Sequence, residues 1–204
     1  MEFFQRAADS PSHLGILPGT FNPVTTAHLA LARAALQTLD EVVLILPREL
    51  PHKEFTGASF GERVAMLRAA LAEEPHCSIA ATGGGLFIEI ADECRAMYGR
   101  HVRLSFLCGR DAAERVAGWD YGRPEAFAGM LRQFDLLVAA RGGEYEPPVE
   151  FQAAIRRLPL SREFEHVSAS EVRGRIASGQ PWEHLVPAPV RDCVRRIYRP
   201  LYCP

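Results

Sequence analysis

The stretch Leu14–Arg33, LGILPGTFNPVTTAHLALAR, constrains the fold more than any other part of the sequence. The apolar run Leu14–Leu17 predicts a buried strand, and Pro18-Gly19 predicts that a turn ends it. Apolar positions between Leu29 and Leu39 then predict a mostly buried helix. A strand, a glycine turn and a helix N-terminus together favour an anion site, because the first N–H groups of a helix have no intrahelical partner.

Polar residues stand where this first helix begins. Thr25 or Thr26 can cap it, and His28 lies in its first turn. A histidine beside free N–H donors can contact a phosphoryl group. Taken alone the pattern is weak, since many α/β proteins contain such a turn without a ligand and a single histidine there is more often structural.

Length and charge limit the function classes. The chain of 204 residues is the size of one α/β domain and can bury roughly 70% of its unfolded surface. A formal charge of −2 gives no electrostatic case for a nucleic-acid partner. The sequence shows neither a secretory signal nor an apolar run of the roughly 20 residues that a membrane span needs, so no membrane partner is predicted.

Cysteine usage favours a reducing, cytoplasmic location. The five cysteines are odd in number and never at C-x-x-C spacing, which argues against a disulfide framework and against a zinc site. Lysine is nearly absent from the sequence. Lys53 is the single lysine among 23 basic residues, and the others are arginines.

Apolar runs and helical patterns alternate along the rest of the chain, which predicts an α/β fold, a Rossmann-like open parallel sheet with helices on both faces. We expect residues 13–204 to form this single domain and residues 1–12 to be a poorly ordered lead-in, although Phe3 and Phe4 could dock on the domain. Strands are predicted at 14–17, 41–46, 78–81, 102–107, 134–139 and around 165–167; helices are predicted at 59–71, 87–98, 168–179 and 189–198, with a short one after 109–111.

Further motifs follow the predicted strands, and ligands of open parallel sheets bind beyond the carboxyl ends of their strands. They are Lys53, Gly109 with Asp111, and Ser168 with Ser170 and Arg173. Each has a structural alternative when taken alone: an exposed loop lysine, a helix cap, or a capped helix with a surface arginine. Their convergence on one edge of the sheet favours a joint phosphate-binding function.

The string Gly19-Thr20-Phe21-Asn22-Pro23-x-Thr25-x-Ala27-His28 resembles the G-T/S-F-D/N-P…H/T-x-G-H signature of the nucleotidyltransferase superfamily. The resemblance implies that ATP is bound here, with Gly19, Thr20, Phe21, Thr25 and His28 as contacts. Two residues depart from the pattern. Pro18 stands at the place of a first glycine, and Ala27 at that of the glycine before the histidine.

Three later segments, together with the closing stretch Leu185–Tyr202, which resembles the family's C-terminal helix, extend the resemblance over residues 14–202. Pro51-His52-Lys53 resembles the family's P-P-H-K/R loop, and Lys53 can follow charge onto departing pyrophosphate. Gly109-x-Asp111 with Trp119 resembles a segment of the pyridine mononucleotide adenylyltransferases, which implies that Asp111 holds the ATP ribose and Trp119 lies beside the pyridine ring. Val167-Ser168-x-Ser170-x-x-Arg173 resembles I-S-x-T-x-x-R, whose serines and arginine would bind the β- and γ-phosphates.

The acceptor is the part of the reaction that the sequence defines least. Residues 85–91, GLFIEIA, stand where bacterial nicotinate mononucleotide adenylyltransferases have S-Y-T-x-D-T-L and its nicotinate contacts. Apolar side chains replace those hydroxyls. We predict Asn22, Trp119 and Tyr121 as acceptor contacts, and nicotinate mononucleotide as first choice with weak discrimination from the nicotinamide form.

These observations predict adenylyl transfer from ATP to a pyridine mononucleotide, with release of pyrophosphate and no covalent enzyme intermediate. His28, Lys53 and Arg173 are the predicted catalytic residues, and Mg²⁺ would arrive with ATP because no acidic cluster marks a protein-held metal. The predicted partners are ATP and a phosphate-bearing small molecule, and a homo-oligomer is possible. Alternatives are transfer to phosphopantetheine, transfer from CTP to a phospho-alcohol, or a nucleotide-binding sensor without turnover.

Overall fold

The computed structural model describes residues 1–8, 10–49, 57–118, 125–139 and 145–202. Within these ranges seven strands form one sheet, in the order β1-β4-β3-β2-β5-β6-β7. Every neighbouring pair is parallel except β1 with β4, which is antiparallel. The strands are β1 Glu2–Gln5, β2 His13–Pro18, β3 Glu41–Pro47, β4 Cys77–Thr82, β5 Arg103–Gly109, β6 Asp135–Ala139 and β7 Ile155–Leu158.

The chain runs outward from β2 to β3 and β4, then returns to place β5 on the other side of β2. This reversal makes the gap beyond the carboxyl ends of β2 and β5 the topological switch point, where open α/β sheets bind ligands. The helices are α1 Thr26–Ala35, α2 Phe60–Ala70, α3 Phe87–Tyr98, α4 Arg110–Ala117, α5 Ala126–Leu131, α6 Ala169–Ala177 and α7 Arg191–Tyr202, with short 3₁₀ turns at 149–151, 162–164, 183–185 and 188–190.

Alternate residues of the central strands face two separate apolar cores. In β3, for example, Leu44 packs with α1, α2, α6 and α7, whereas Ile45 packs with α3, α4 and α5. Because both faces are covered, β3 is buried at every position. The predicted fold class, a Rossmann-like parallel sheet with helices on both faces, is confirmed. No helix in the described ranges has both the length and the apolar character to span a bilayer.

Most predicted elements are confirmed within two residues, and the exceptions have physical reasons. The N-terminal residues are not a poorly ordered lead-in, since β1 pairs with β4 and docks two aromatic rings. Phe3 packs edge-on against Tyr98 and Phe4 against Phe60, each with ring centroids 5.8 Å apart. The contacts of these two partly buried phenylalanines add to the pairing of β1 with β4 at the edge of the sheet.

The last strand lies ten residues before the predicted one. The strand expected around 165–167 is absent there, where the chain follows a 3₁₀ turn at Arg162–Phe164. The sheet ends instead with β7, Ile155–Leu158, whose two central arginines interrupt the apolar run that marks the other strands. The six-residue helix α5 was also not predicted, because it is too short to show helical periodicity.

Candidate active site

The turn after β2 is shaped by packing as well as by hydrogen bonds. The Gly19 N–H donates to the Ile45 carbonyl oxygen at 2.9 Å, which continues the pairing of β2 with β3. A Cβ atom at Gly19 would lie only 2.9 Å from the ring of Phe21, so this position requires glycine. Phe21 itself has a φ of +49° and is 2% exposed. With this positive φ the Phe21 side chain points into the protein, and its ring packs against the inner side of the turn.

His28 is fixed by the cap of α1. Thr25, rather than Thr26, is the N-cap residue. The Thr25 N–H donates to His28 Nδ1 at 3.0 Å, and the Thr25 hydroxyl lies 2.8 Å from the same nitrogen. Because Nδ1 accepts the amide hydrogen, the ring proton is on Nε2. The Phe21 ring meets the His28 ring edge-on at 5.1 Å and fixes its plane.

Two arginines hold the carbonyl groups of the same turn. Arg63 of α2 donates from Nη1 to the Thr20 carbonyl oxygen at 2.9 Å, and Arg173 of α6 donates from Nη1 to that of Asn22 at 2.5 Å. Arg63 is 6% exposed, and burial lowers the pKa of its guanidinium from the ordinary value. In a trans peptide the N–H points away from the C=O, so the Phe21 N–H is directed away from Arg63.

The N-terminus of α6 supplies a second set of donors beside the turn. Ser168 is its N-cap residue and accepts the Glu171 N–H at 3.0 Å. The Glu171 carboxylate accepts from Arg175 Nε at 2.6 Å. Arg173 Nη2 donates to the Ser170 hydroxyl at 3.2 Å. The guanidinium of Arg173 thus bridges the start of α6 and the turn that precedes α1.

The side chain of Asn22 joins three separate parts of the fold. Its Oδ1 accepts the N–H of Ala58 at 3.2 Å and also accepts the hydroxyl of Tyr198 in α7. Gly57, just before Ala58, has a φ of +134°, and a Cβ atom there would lie 2.4 Å from Asn22 Oδ1. Asn22 is 5% exposed. Its predicted contact with the acceptor stays a prediction, and its observed contacts are internal.

The carboxyl end of β5 lies at the same edge of the sheet as the turn after β2. β5 pairs directly with β2, so Gly109, the N-cap residue of α4, lies beside the turn that follows Pro18. Asp111 is exposed in the first turn of α4, on the same carboxyl edge of the sheet. Its predicted contact with the ATP ribose is compatible with this position and stays a prediction.

The structure thus brings together most of the predicted ATP contacts at one edge. The turn after β2, the start of α1 and the start of α6 lie together. The residues that make these contacts are Thr20, Phe21, Asn22, Thr25, His28, Ser170 and Arg173. Lys53, Trp119 and Tyr121 lie outside the described residues. In the described ranges no group of three or more His, Cys, Asp or Glu side chains lies close enough to hold a metal ion.

Sequence reasoning missed Arg63, Gly57 and Tyr198. Arg63 was detectable, because it is a charged residue on the buried face of α2, between the apolar neighbours Phe60 and Val64. A buried arginine of this kind needs a carbonyl or a carboxylate partner. Tyr198 and Gly57 gave no comparable signal, since a tyrosine in an apolar helix face and a glycine in a loop fit many roles.

The fold and the site define a Rossmann-like α/β protein, in which two helix N-termini, a histidine and an arginine meet at the switch point of a parallel sheet. The family model described as cytidylyltransferase-like matches residues 16–175. The chain belongs to this family and is a nucleotidyltransferase.

The curated relatives are similar over nearly their whole length. The chain is 32% identical to a probable nicotinate-nucleotide adenylyltransferase of Gloeobacter violaceus, over 90% of the chain and 93% of that protein. It is 34% identical to the protein of the same name from Bordetella petrii, over 91% of the chain and 98% of that protein.

A solved structure has the same fold. It is the nicotinic acid mononucleotide adenylyltransferase of Plasmodium falciparum in complex with NaAD. The TM-score is 0.62 at 15% identity, with 93% of this chain and 92% of that one covered.

Proposed function

We propose that this chain transfers the adenylyl group of ATP to the phosphate of a pyridine mononucleotide, forming a dinucleotide and pyrophosphate in NAD biosynthesis. One observation carries the proposal. Arg173 of α6 donates to the carbonyl oxygen of Asn22, which places two capped helix N-termini and the His28 ring around one turn. Several donors aimed at one place suit a triphosphate better than a single phosphate group.

The chemistry requires positioning more than activation. The acceptor phosphate is already anionic, so its oxygen can attack the α-phosphorus of ATP in line while the bond to the β-phosphate breaks and pyrophosphate departs. His28 Nε2–H donates to a phosphate oxygen and stabilises charge that develops in the transition state. The guanidinium of Arg173 holds the β- and γ-phosphates, and Lys53 neutralises the departing pyrophosphate.

We propose Mg²⁺-ATP as the form of the nucleotide that binds. The described polar side chains that contact the turn are an imidazole, hydroxyls and two guanidinium groups, which fit phosphate oxygens rather than a divalent cation. Mg²⁺ would therefore be held by the phosphates of the substrate. We place the reaction in the cytoplasm, a proposal that the free thiols of Cys77, Cys94, Cys108 and Cys193 support.

For the acceptor we propose nicotinate mononucleotide, with weak discrimination against the nicotinamide form. The resemblance puts the acceptor ring against the start of α3, where Phe87 stacks on Phe106 at a centroid distance of 4.3 Å. Two carboxylates already accept the amide hydrogens of this segment, Glu89 from Leu86 at 3.1 Å and Glu93 from Gly83 at 2.9 Å. Local negative charge gives a nicotinate carboxylate no advantage there.

Pyrophosphate release tests the proposal. Purified protein is mixed with Mg²⁺-ATP and, separately, with nicotinate mononucleotide, nicotinamide mononucleotide or phosphopantetheine, and CTP is tested with a phospho-alcohol. We expect release with both pyridine mononucleotides, at kcat/KM values within about tenfold of each other. Release with phosphopantetheine alone, or only with CTP, would refute the pyridine assignment.

Binding without turnover would identify the sensor alternative. If ATP protects the protein against thermal unfolding but no acceptor gives pyrophosphate, adenylyl transfer is refuted while nucleotide binding stands. The His28→Asn variant is the matched negative control. It retains an acceptor atom for the Thr25 N–H but lacks the Nε2 donor, so pyrophosphate release far below the wild-type rate in this variant, purified in the same way, assigns the activity to this chain.

A further inference from the structure

We infer that Tyr198, in the C-terminal helix α7, is a positioning residue for the transfer reaction, because its hydroxyl holds Asn22 where the turn, α6 and the segment from Gly57 onward meet. This inference rests on the proposed function, since it concerns the same site. Tyr198 does not touch substrate in this scheme. It acts through Asn22.

The contacts form a short chain from α7 to the site. The Tyr198 O–H donates to Asn22 Oδ1, which also accepts the Ala58 N–H at 3.2 Å. The backbone oxygen of Asn22 accepts Arg173 Nη1 at 2.5 Å. Tyr198 and Ala58 are both 0% exposed. Water therefore cannot replace the hydroxyl at Asn22 Oδ1 without a change in packing.

One amide side chain thereby fixes two elements of the site. Rotation of Asn22 about its side-chain bonds would release the Ala58 N–H, just before α2, the helix whose Arg63 contacts the Thr20 carbonyl oxygen. Movement of the Asn22 peptide would shift the carbonyl oxygen that orients Arg173. The Ser170 hydroxyl, which accepts Arg173 Nη2 at 3.2 Å, cannot hold the planar guanidinium alone.

The site also explains why a hydroxyl is placed in this apolar helix face. Val194, one turn earlier in α7, is 0% exposed in the same core and provides only apolar contact. A phenylalanine at 198 would fill nearly the same volume as the tyrosine. The hydroxyl is thus not needed for the packing of α7, and its role is to donate the hydrogen bond to Asn22.

Tyr198→Phe tests the inference, with Tyr98→Phe as the matched control. Tyr98 is also buried and donates its hydroxyl to a side chain, Glu41, at 2.6 Å, but near the amino ends of the strands and away from the site. We expect Tyr198→Phe to lower kcat about tenfold while KM for ATP changes less than about threefold, because alignment is lost and ground-state contacts are kept. Tyr98→Phe should keep kcat within about twofold.

Hydrogen exchange supplies a readout that needs no turnover. The Ala58 amide should exchange roughly tenfold faster in Tyr198→Phe and unchanged in Tyr98→Phe, since only the first variant removes the hydroxyl that holds Asn22 and that also accepts from the Ala58 N–H. Thermal unfolding and circular dichroism establish that both variants are folded. If Tyr198→Phe does not fold, Val194→Ala and Asn22→Ala take its place. Asn22→Ala removes the acceptor of the Tyr198 and Ala58 hydrogen bonds, and the inference requires that it lose far more kcat than Val194→Ala at equal stability.

Two results would overturn the inference: unchanged kcat and Ala58 exchange in Tyr198→Phe, or losses of kcat that simply follow the stability of all the variants. The proposed function fails in a different way. A wild-type protein that releases no pyrophosphate with any acceptor refutes adenylyl transfer, whereas the Ala58 exchange rates still decide whether Tyr198 holds Asn22.

Discussion

The Nδ1 atom of His28 accepts the backbone N–H of Thr25 at 3.0 Å, so one side chain both caps α1 and presents its Nε2–H donor from the first turn. The two roles depend on different nitrogens of the ring. Capping is a matter of stability, whereas donation to a phosphate oxygen is a matter of rate. Substitutions can therefore separate them.

We expect His28→Ala and His28→Asn to lower kcat about 10²-fold or more, because both lack the Nε2 donor. Only His28→Ala should also lose stability, by about 1 kcal/mol, since asparagine keeps an acceptor near the position of Nδ1. Steady-state kinetics and urea unfolding measure the two effects. Activity of either variant within a few-fold of wild type would remove His28 from the mechanism.

Arg173→Lys should lower kcat/KM for ATP by about tenfold to 10²-fold. Lysine keeps the charge but cannot contact the Asn22 carbonyl oxygen and the Ser170 hydroxyl together, as the guanidinium does. Arg175→Lys is the matched control in the same helix, where Arg175 pairs with Glu171. Equal losses of kcat/KM in both variants would show that α6 is sensitive to any change and that Arg173 has no special role.

Lys53→Gln should reduce kcat at least about tenfold and change KM for ATP less, because the ammonium acts as charge moves to pyrophosphate. This prediction rests on the sequence, since Lys53 lies outside the described residues. Lys53→Arg keeps the charge and should recover part of kcat. A change confined to KM would make Lys53 an ordinary ground-state contact.

Gly57→Ala should destabilise the protein by roughly 1–3 kcal/mol and lower kcat as well. Alanine disfavours the φ of +134°, and its Cβ atom would lie 2.4 Å from Asn22 Oδ1. Gly61→Ala is the opposite control, because Gly61 lies within α2 and a Cβ atom there would have no neighbouring atom within 4 Å. There we expect a gain in stability of roughly 0.5–1 kcal/mol and unchanged kcat.

Glu41 should make folding stability pH-dependent. It is 2% exposed, and burial raises the pKa of its carboxyl group, although Ser78 and Tyr98 donate hydrogen bonds that act in the opposite direction. A raised folded-state pKa means that the stabilising contribution is complete below the unfolded pKa and is lost as the pH rises through the folded one. The free energy of unfolding of wild type relative to Glu41→Gln should therefore fall as the pH rises above 4.5, the ordinary pKa of a glutamate carboxyl group.

Urea unfolding at several pH values measures this difference. Glu73→Gln, at an exposed position, is the control and should give a difference from wild type that varies little over the same range. If the Glu41→Gln difference is equally flat, the buried carboxyl group does not titrate differently in the folded and unfolded protein, and the prediction is wrong.

Local patterns in the sequence predicted the parallel strands and the capped helices, because burial on both faces leaves continuous apolar runs such as residues 41–46. They also located the edge where the site forms. They could not show which donors hold the turn. The contacts of Asn22 with Tyr198 and with Arg173 span 176 and 151 residues of sequence, and no local pattern encodes them.

Some predicted site residues have observed contacts that differ from the expected ones. The Gly19 N–H pairs with Ile45, and the Phe21 ring is 2% exposed. The motif that contains them resembles a binding signature, and both residues help to shape the turn, while their predicted contacts with ATP stay predictions. Spacing alone cannot separate a residue that contacts a ligand from one that supports it, because both are needed at fixed positions.

The sheet has two very different edges. β1 covers one side of β4 in the antiparallel sense, and β7 closes the other end with a four-residue strand whose central residues, Arg156 and Arg157, are exposed. Short, charged strands are poor templates for the addition of a strand from another molecule. Copies of this chain should therefore not associate by extending the sheet. Any homo-oligomer has to be built from its helices and loops, which leaves the seven-stranded layer the same in every assembly state.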